Sequence, residues 1–207
     1  MEKNCYTREQ IKTAVKEKGY KWFDDSNNKG YDVNIVGVRN AETKDRVTNK
    51  FDDCLTVSYK KNGEWKFFCF GATTDPGDDY MDNPIVEDKG CAILKEGQYR
   101  GSHKIRLHAG KYPALGQKKD VTVYRDKNKD GKYDFDESKA DTGLFGINIH
   151  RATKYAGKKS SQIDRWSAGC QVIAANDDWH EFLDICQAAR EIHGNSFSYT
   201  LIESNDI

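Results

Sequence analysis

Helical spacing marks the two ends of the chain, and period-two alternation fills its middle. Thr7-Arg-Glu-Gln10 has the form of a capping box. Ile11, Ala14, Val15 and Lys18 follow at three- and four-residue steps, and Gly19 is a natural stop. This predicts a helix over 8–18. Its apolar stripe is thin, so it should pack at the edge of a domain; a separate recognition arm is the other reading.

Val33 and Ile35 alternate with Asp32 and Asn34. Val36 and Val38 then flank Gly37 in the opposite phase, which predicts a strand bulged at the glycine. Leu55, Val57 and Tyr59 alternate with Thr56, Ser58 and Lys60. Lys61-Asn-Gly-Glu64 supplies an Asn-Gly turn, and Trp65 to Phe70 returns, together a hairpin. Asp75-Pro-Gly-Asp78 and Asn83-Pro84 mark a loop. Strands are expected around Lys104–His108 and over 121–124. Gly146 to His150 reads as a strand ending in histidine, and Gln171 to Ala174 as extended chain after Cys170. Asn176 should cap a helix over 177–192 with Phe182, Leu183, Cys186, Ala189 and Ile192 on its buried stripe, and Gly194 past its end. A final strand spans 196–202. Many strands and two helices predict an α+β fold, predominantly β, built as a sandwich or barrel. Residues 1–30 would form a helical extension and 31–207 the β-rich remainder of a single domain.

Composition narrows the classes. The chain has 207 residues, and its 33 Lys+Arg balance 33 Asp+Glu, so there is no basic excess to draw it to nucleic acid. No apolar run approaches the ~20 residues that cross a bilayer. Hydrophobic content is low at 37%, yet 12% aromatics with three prolines argues for a packed core rather than disorder. Six cysteines are widely and irregularly spaced, with no CxxC pair, which argues against a zinc or thioredoxin-type site. Met1 to Gln10 lacks the apolar core of a secretory signal, so reduced thiols are the expectation.

Chemistry concentrates in 146–172. His150 ends one strand, and Cys170 follows it by 20 residues in the turn Ser167-Ala-Gly-Cys170. A thiolate is the nucleophile of cysteine acyl transfer, and a histidine in reach can take its proton. Small residues let the turn's N–H groups approach a substrate carbonyl. On spacing alone, a small buried cysteine and an ordinary strand-end histidine remain open.

Ile147-x-Ile-His150 followed by Ser167-x-Gly-Cys170 resembles the catalytic motif of the L,D-transpeptidase family. Ala92 to Tyr99, with His108, falls where such domains carry strands leading into the site, so the resemblance extends over about 30–175, with its specific motif confined to 145–173. It implies Cys170 as nucleophile, His150 as base, Gly169 and Cys170 as oxyanion-hole donors and Ser167 as the residue shaping the turn. It also implies a main-chain carbonyl that orients the histidine, which the sequence alone does not place. The substrate implied is a peptidoglycan stem peptide. Cys170 would attack the carbonyl of its third residue, expel the terminal D-alanine and form a thioester, which an amine or water resolves. Three positions depart from the family pattern. Ala168 replaces a histidine, Val172 stands where an arginine is common, and Arg151 replaces a small residue. Substrate recognition is therefore expected to fall to other groups: Arg151 or Arg165 for a carboxylate, with Trp166 and His108 lining the pocket.

A second motif lies at 126–137. Asp126, Asn128, Asp130, Gly131, Asp134 and Glu137 occupy positions 1, 3, 5, 6, 9 and 12 of a calcium loop, with the Lys132 carbonyl at 7. Five of these twelve residues are acidic against three lysines. A strand precedes the loop where a helix would stand, so the expected ion is structural and not catalytic. A solvated Asn/Asp/Gly turn is the other reading.

Two rivals to the transpeptidase reading stand. In a papain-like amidase or peptidase the cysteine precedes its histidine, and here only His180 and His193 follow Cys170. The other rival is a calcium-stabilised wall-binding module without activity. Wall chemistry lies outside the cytoplasm and no export signal is visible, so the expectation is either a trimmed chain or delivery by a phage-lysis or effector route.

Overall fold

The computed structural model describes residues 6–207. Helix α1 (Arg8–Glu17) begins with the expected capping box: Gln10 N donates to Thr7 Oγ1 at 3.3 Å, and Thr7 N donates to Gln10 Oε1 at 3.0 Å. The strands are β1 (Asn34–Arg39), β2 (Asp53–Lys61), β3 (Glu64–Thr73), β4 (Cys91–Leu94), β5 (Gly97–His108), β6 (Tyr112–Gln117), β7 (Val121–Asp126), β8 (Asp141–Gly143), β9 (Ile149–Arg151), β10 (Gln171–Ile173) and β11 (Phe197–Glu203). Helices α2 (Asp78–Asp82) and α3 (Asn176–His193) complete the set.

Eight strands close into a barrel in the order β1-β11-β5-β6-β9-β10-β3-β2, and β4, β7 and β8 form a small sheet beside it. The fold is thus α+β and mainly β. Closure leaves no free edge on the large sheet. The β2–β3 hairpin turns at Asn62 and Gly63, with φ of 53° and 81°, the pair of positive angles that a two-residue turn between twisted strands demands. Two pairings are parallel, β1 with β11 and β9 with β10. The second of these builds the candidate site.

The main core joins Ile35, Leu55, Val57, Leu115, Ile149, Tyr199 and Leu201 of the barrel to Trp179, Phe182, Leu183 and Cys186 of α3. A second cluster packs Ile11, Ala14 and Val15 of α1 against Val36, Val38 and Ile202. Strand β1 is therefore buried on both faces, which explains its change of phase. The expected bulge is absent, because residues 34–38 of β1 pair with β2 in unbroken register. Gly37 is needed for a different reason. A Cβ there would overlap the Tyr199 hydroxyl and lie 2.9 Å from its ring carbon Cζ.

Other expectations need correction. Ala175, not Asn176, is the N-cap of α3; Asn176 begins the helix, and its side-chain amide donates to the Thr153 carbonyl at 3.0 Å. Ile192 is exposed and leaves the stripe. The expected set of six thiols also fails, because Cys69 is disulfide-bonded. Cys54, Cys91, Cys170 and Cys186 are free, and Cys5 lies outside the described residues. Among the described residues no helix is long and apolar enough to cross a membrane.

Candidate active site

Parallel pairing of β9 with β10 sets Gln171 beside Ile149 and Val172 beside His150. Cys170 immediately precedes β10, and the Gln171 N–H donates to the Asn148 carbonyl at 2.8 Å, so the Cys170 turn lies beside the chain entering β9.

His150 is buried and fixed by its own strand. Its Nδ1 lies 2.8 Å from the Arg151 carbonyl oxygen, a distance at which the nitrogen must carry the proton and donate. The ring is thus held by a main-chain carbonyl, which leaves Nε2 as the lone-pair acceptor. Burial, assisted by His108, lowers the His150 pKa to about 4, so the ring is neutral at pH 7. The Cys170 thiol is half-buried and donates to the Gly146 carbonyl across 3.3 Å. Burial pushes its pKa up to about 11. The resting pair is a neutral thiol and a neutral imidazole.

The turn that carries Cys170 is tied down on all sides. Ser167 Oγ donates to the Cys170 carbonyl at 2.8 Å and accepts from the Gly169 N–H at 3.1 Å. Ser167 thus shapes the turn as expected. The expected oxyanion role of Gly169 meets an obstacle, since its N–H is committed to Ser167. Gly169 has φ of +114°, and a Cβ there would overlap the Ala92 carbonyl oxygen of β4. Gln171 is buried next to Cys170, and its amide N–H groups donate to the Thr74 and Gly169 carbonyls, each at 3.2 Å. Its oxygen accepts from the Tyr199 hydroxyl at 2.6 Å. The Gly77 N–H donates to the Ser167 carbonyl at 2.9 Å. Further from the turn, fully buried Arg39 pairs with Asp75 at 2.8 Å and also with Glu96, while Asp53 accepts from the Thr74 N–H at 2.7 Å. These polar groups brace the 73–77 segment that holds the turn.

A cleft of about 630 Å³ opens beside His150, and its lining includes His108, Tyr112, Arg151, Tyr155, Arg165 and Trp166. The structure therefore gathers the three residues expected to meet substrate (Arg151, Trp166 and His108) around the expected base. Arg151 lies over the Tyr112 ring at 4.3 Å, and His108 stacks on His150 with centroids 4.3 Å apart and planes 25° from parallel. Trp166 is 43% exposed, so it forms a wall rather than a core contact. Arg165 is open to solvent and 3.7 Å from Asp79. Tyr112 escaped notice in the sequence, which carries no motif around it. Burial raises its pKa, the Arg151 cation opposes that, and its hydroxyl lies 3.5 Å from His150 Nδ1. His103, by contrast, is fully buried, bonded to Ser102 and to the Ile147 carbonyl, and its pKa falls to about 4; it is a core residue.

The acidic loop lies apart, after β7. Asp126 accepts from the Asp134 N–H at 2.9 Å, Asn128 from the Asp130 N–H at 3.2 Å and Asp130 from the Lys132 N–H at 3.0 Å. Glu137 sits on a short 3₁₀ turn, paired with Lys95 at 2.6 Å and accepting from Tyr124 at 3.0 Å. Among the described residues no group of three or more His, Cys, Asp or Glu side chains converges to hold a metal. As folded, the Asp and Asn side chains organise the loop's own backbone, and calcium would need Glu137 to leave Lys95.

Comparison with family models, with curated proteins and with solved structures finds no match for this chain.

Proposed function

We propose that the protein is a cysteine acyltransferase of the L,D-transpeptidase type, acting on peptidoglycan stem peptides through Cys170 and His150. One observation carries the reading. The Arg151 carbonyl holds the His150 ring with Nε2 as acceptor, on the strand beside the Cys170 turn. In the proposed reaction the Cys170 sulfur bonds the substrate carbonyl carbon while its proton passes to His150 Nε2. The C–N bond then breaks, and the departing amine takes the proton from His150. A neutral resting pair suits transfer of the proton during attack rather than before it. Arg151, Arg165, Lys111 and Lys154 give the cleft a cationic lining suited to a peptide bearing carboxylates. The disulfide at Cys69 agrees with an oxidising compartment and hence with work at the wall.

A second reading draws on the Cys170 thiol's bond to Gly146 and its high pKa: an inactive wall-binding module that keeps the shape of the site. Defined muropeptides incubated with the protein and with Cys170→Ala separate the two. Mass-detected loss of D-alanine with the wild type alone supports the enzyme. Identical products from both proteins support the module.

A further inference from the structure

We infer that His108 supplies, from its Nε2–H, a hydrogen bond to the oxyanion that develops during acyl transfer to Cys170. The site would then run on two stacked imidazoles of opposite tautomer. The inference rests on the acyl-transfer reading above and adds a catalytic group to it.

Three observations lead there. First, the His108 tautomer is fixed by a chain of bonds. Asn148 Oδ1 accepts from the Gln117 N–H at 2.9 Å, which orients that amide. Its Nδ2 then faces His108 Nδ1 at 3.5 Å, so this nitrogen is an acceptor and the proton lies on Nε2. Burial, with the Arg106 cation beside it, keeps the ring neutral by lowering its pKa. Second, the ring is placed for substrate. It stacks on His150 at 4.3 Å and lines the large cleft on one side and a cavity of about 300 Å³ on the other. Third, the turn is short of one donor. Of the two main-chain N–H groups expected to face an oxyanion at Cys170, that of Gly169 is held by Ser167 Oγ, so a second donor beside the Cys170 N–H has to come from another element.

The step balances without a co-reactant. The sulfur forms a bond to the carbonyl carbon, the thiol proton moves to His150 Nε2, and the carbonyl π pair moves onto oxygen, which accepts from His108 Nε2–H. Collapse restores the carbonyl, breaks the bond to the leaving group and returns the proton to it from His150. His108 keeps its proton throughout.

The test uses the full chain and p-nitrophenyl acetate, which acylates a nucleophilic cysteine and releases nitrophenol. A burst is expected in the wild type and absent in Cys170→Ala. His108→Phe keeps a stacked ring without the donor and should slow the burst roughly 100-fold. His108→Gln restores an N–H and should recover at least roughly a tenth of the wild-type rate. Alkylation of Cys170 by iodoacetamide passes through no oxyanion and should be unchanged in both variants. A wild-type burst in His108→Phe, equal slowing in the two variants, or a parallel fall in alkylation overturns the role. Ring ¹⁵N shifts of the unmodified protein give a check that no variant can spoil, and a proton on His108 Nδ1 also overturns it. A burst that survives Cys170→Ala, or none in the wild type, sinks the acyl-transfer reading along with the inference. A Cys170-dependent burst with inert muropeptides removes only the proposed substrate.

Discussion

Gly37→Ala tests how the barrel wall seats Tyr199 against Gln171. The new Cβ would occupy the space of the Tyr199 hydroxyl and sit 2.9 Å from its ring carbon and 3.2 Å from Leu201 Cδ1. Both are fully buried, so neither has solvent to retreat into. Overpacking of this kind costs about 1–3 kcal/mol. Moving Tyr199 also breaks its 2.6 Å bond to Gln171, and leaving that buried oxygen unsatisfied costs about 1–3 kcal/mol. The single substitution should therefore destabilise by about 2–6 kcal/mol. Tyr199→Phe removes the obstructing oxygen and the same hydrogen bond, and by itself should lose about 1–3 kcal/mol. In the double variant the bond is lost only once and part of the overlap is relieved, so the two effects should fall short of additivity by at least about 1 kcal/mol. Equilibrium urea unfolding of the four proteins, followed by tryptophan fluorescence, measures this directly. Strict additivity would refute the claim that Gly37 exists to seat Tyr199 against Gln171.

Three further outcomes follow from the site and its surroundings. His103 stays neutral in the fold with a pKa near 4 but titrates near 6.5 when unfolded. The unfolded chain binds the extra proton between these values, so this contribution is full above pH 6.5 and lost as pH falls toward 4, by up to roughly 3 kcal/mol. His150 titrates in the same window, so His103→Asn should lessen the slope of stability against pH there without abolishing it, and an unchanged slope would refute the assignment. Among the free thiols of the described residues, Cys170 and Cys54 are half-buried, whereas Cys91 and Cys186 are buried. Mild alkylation followed by peptide mapping should therefore mark Cys170 and Cys54 before the other two, and earlier labelling of Cys91 or Cys186 would contradict the ordering. If the 126–137 loop takes calcium with its twelfth-position carboxylate, millimolar calcium raises Tm and Glu137→Gln abolishes the rise. A rise that survives in this variant would refute that ligand set.

Where local chemistry decides, the sequence was readable. The capping box at Thr7, the Asn62-Gly63 hairpin and the α3 stripe from Phe182 to Ala189 each depend on neighbours within a few positions. Where a distant element decides, it was not. The phase change at Gly37 resembles a bulge until α1 is seen to cover the other face of β1. Asn176 has a capping residue's chemistry, but its amide is drawn to the Thr153 carbonyl, brought close only by the fold. Likewise the placing of His150 on a strand beside the Cys170 turn was legible from the two local patterns, and the tertiary surroundings were not. Tyr112 on β6 and the Arg39–Asp75 brace come from elements distant in sequence that no local pattern encodes, and the Arg151 carbonyl, although adjacent to His150, meets its ring only in the rotamer the fold imposes. The disulfide at Cys69 was missed because an irregular set of six cysteines specifies no partners.

The central claim is that Cys170 forms a thioester with a stem-peptide carbonyl. Intact-protein mass spectrometry of a brief incubation with a tetrapeptide muropeptide tests it most directly. The wild type should gain the mass of the acyl fragment, with release of free D-alanine and loss of the adduct on adding hydroxylamine, and Cys170→Ala should gain nothing. An unmodified wild-type protein, or the same adduct on Cys170→Ala, would contradict the account.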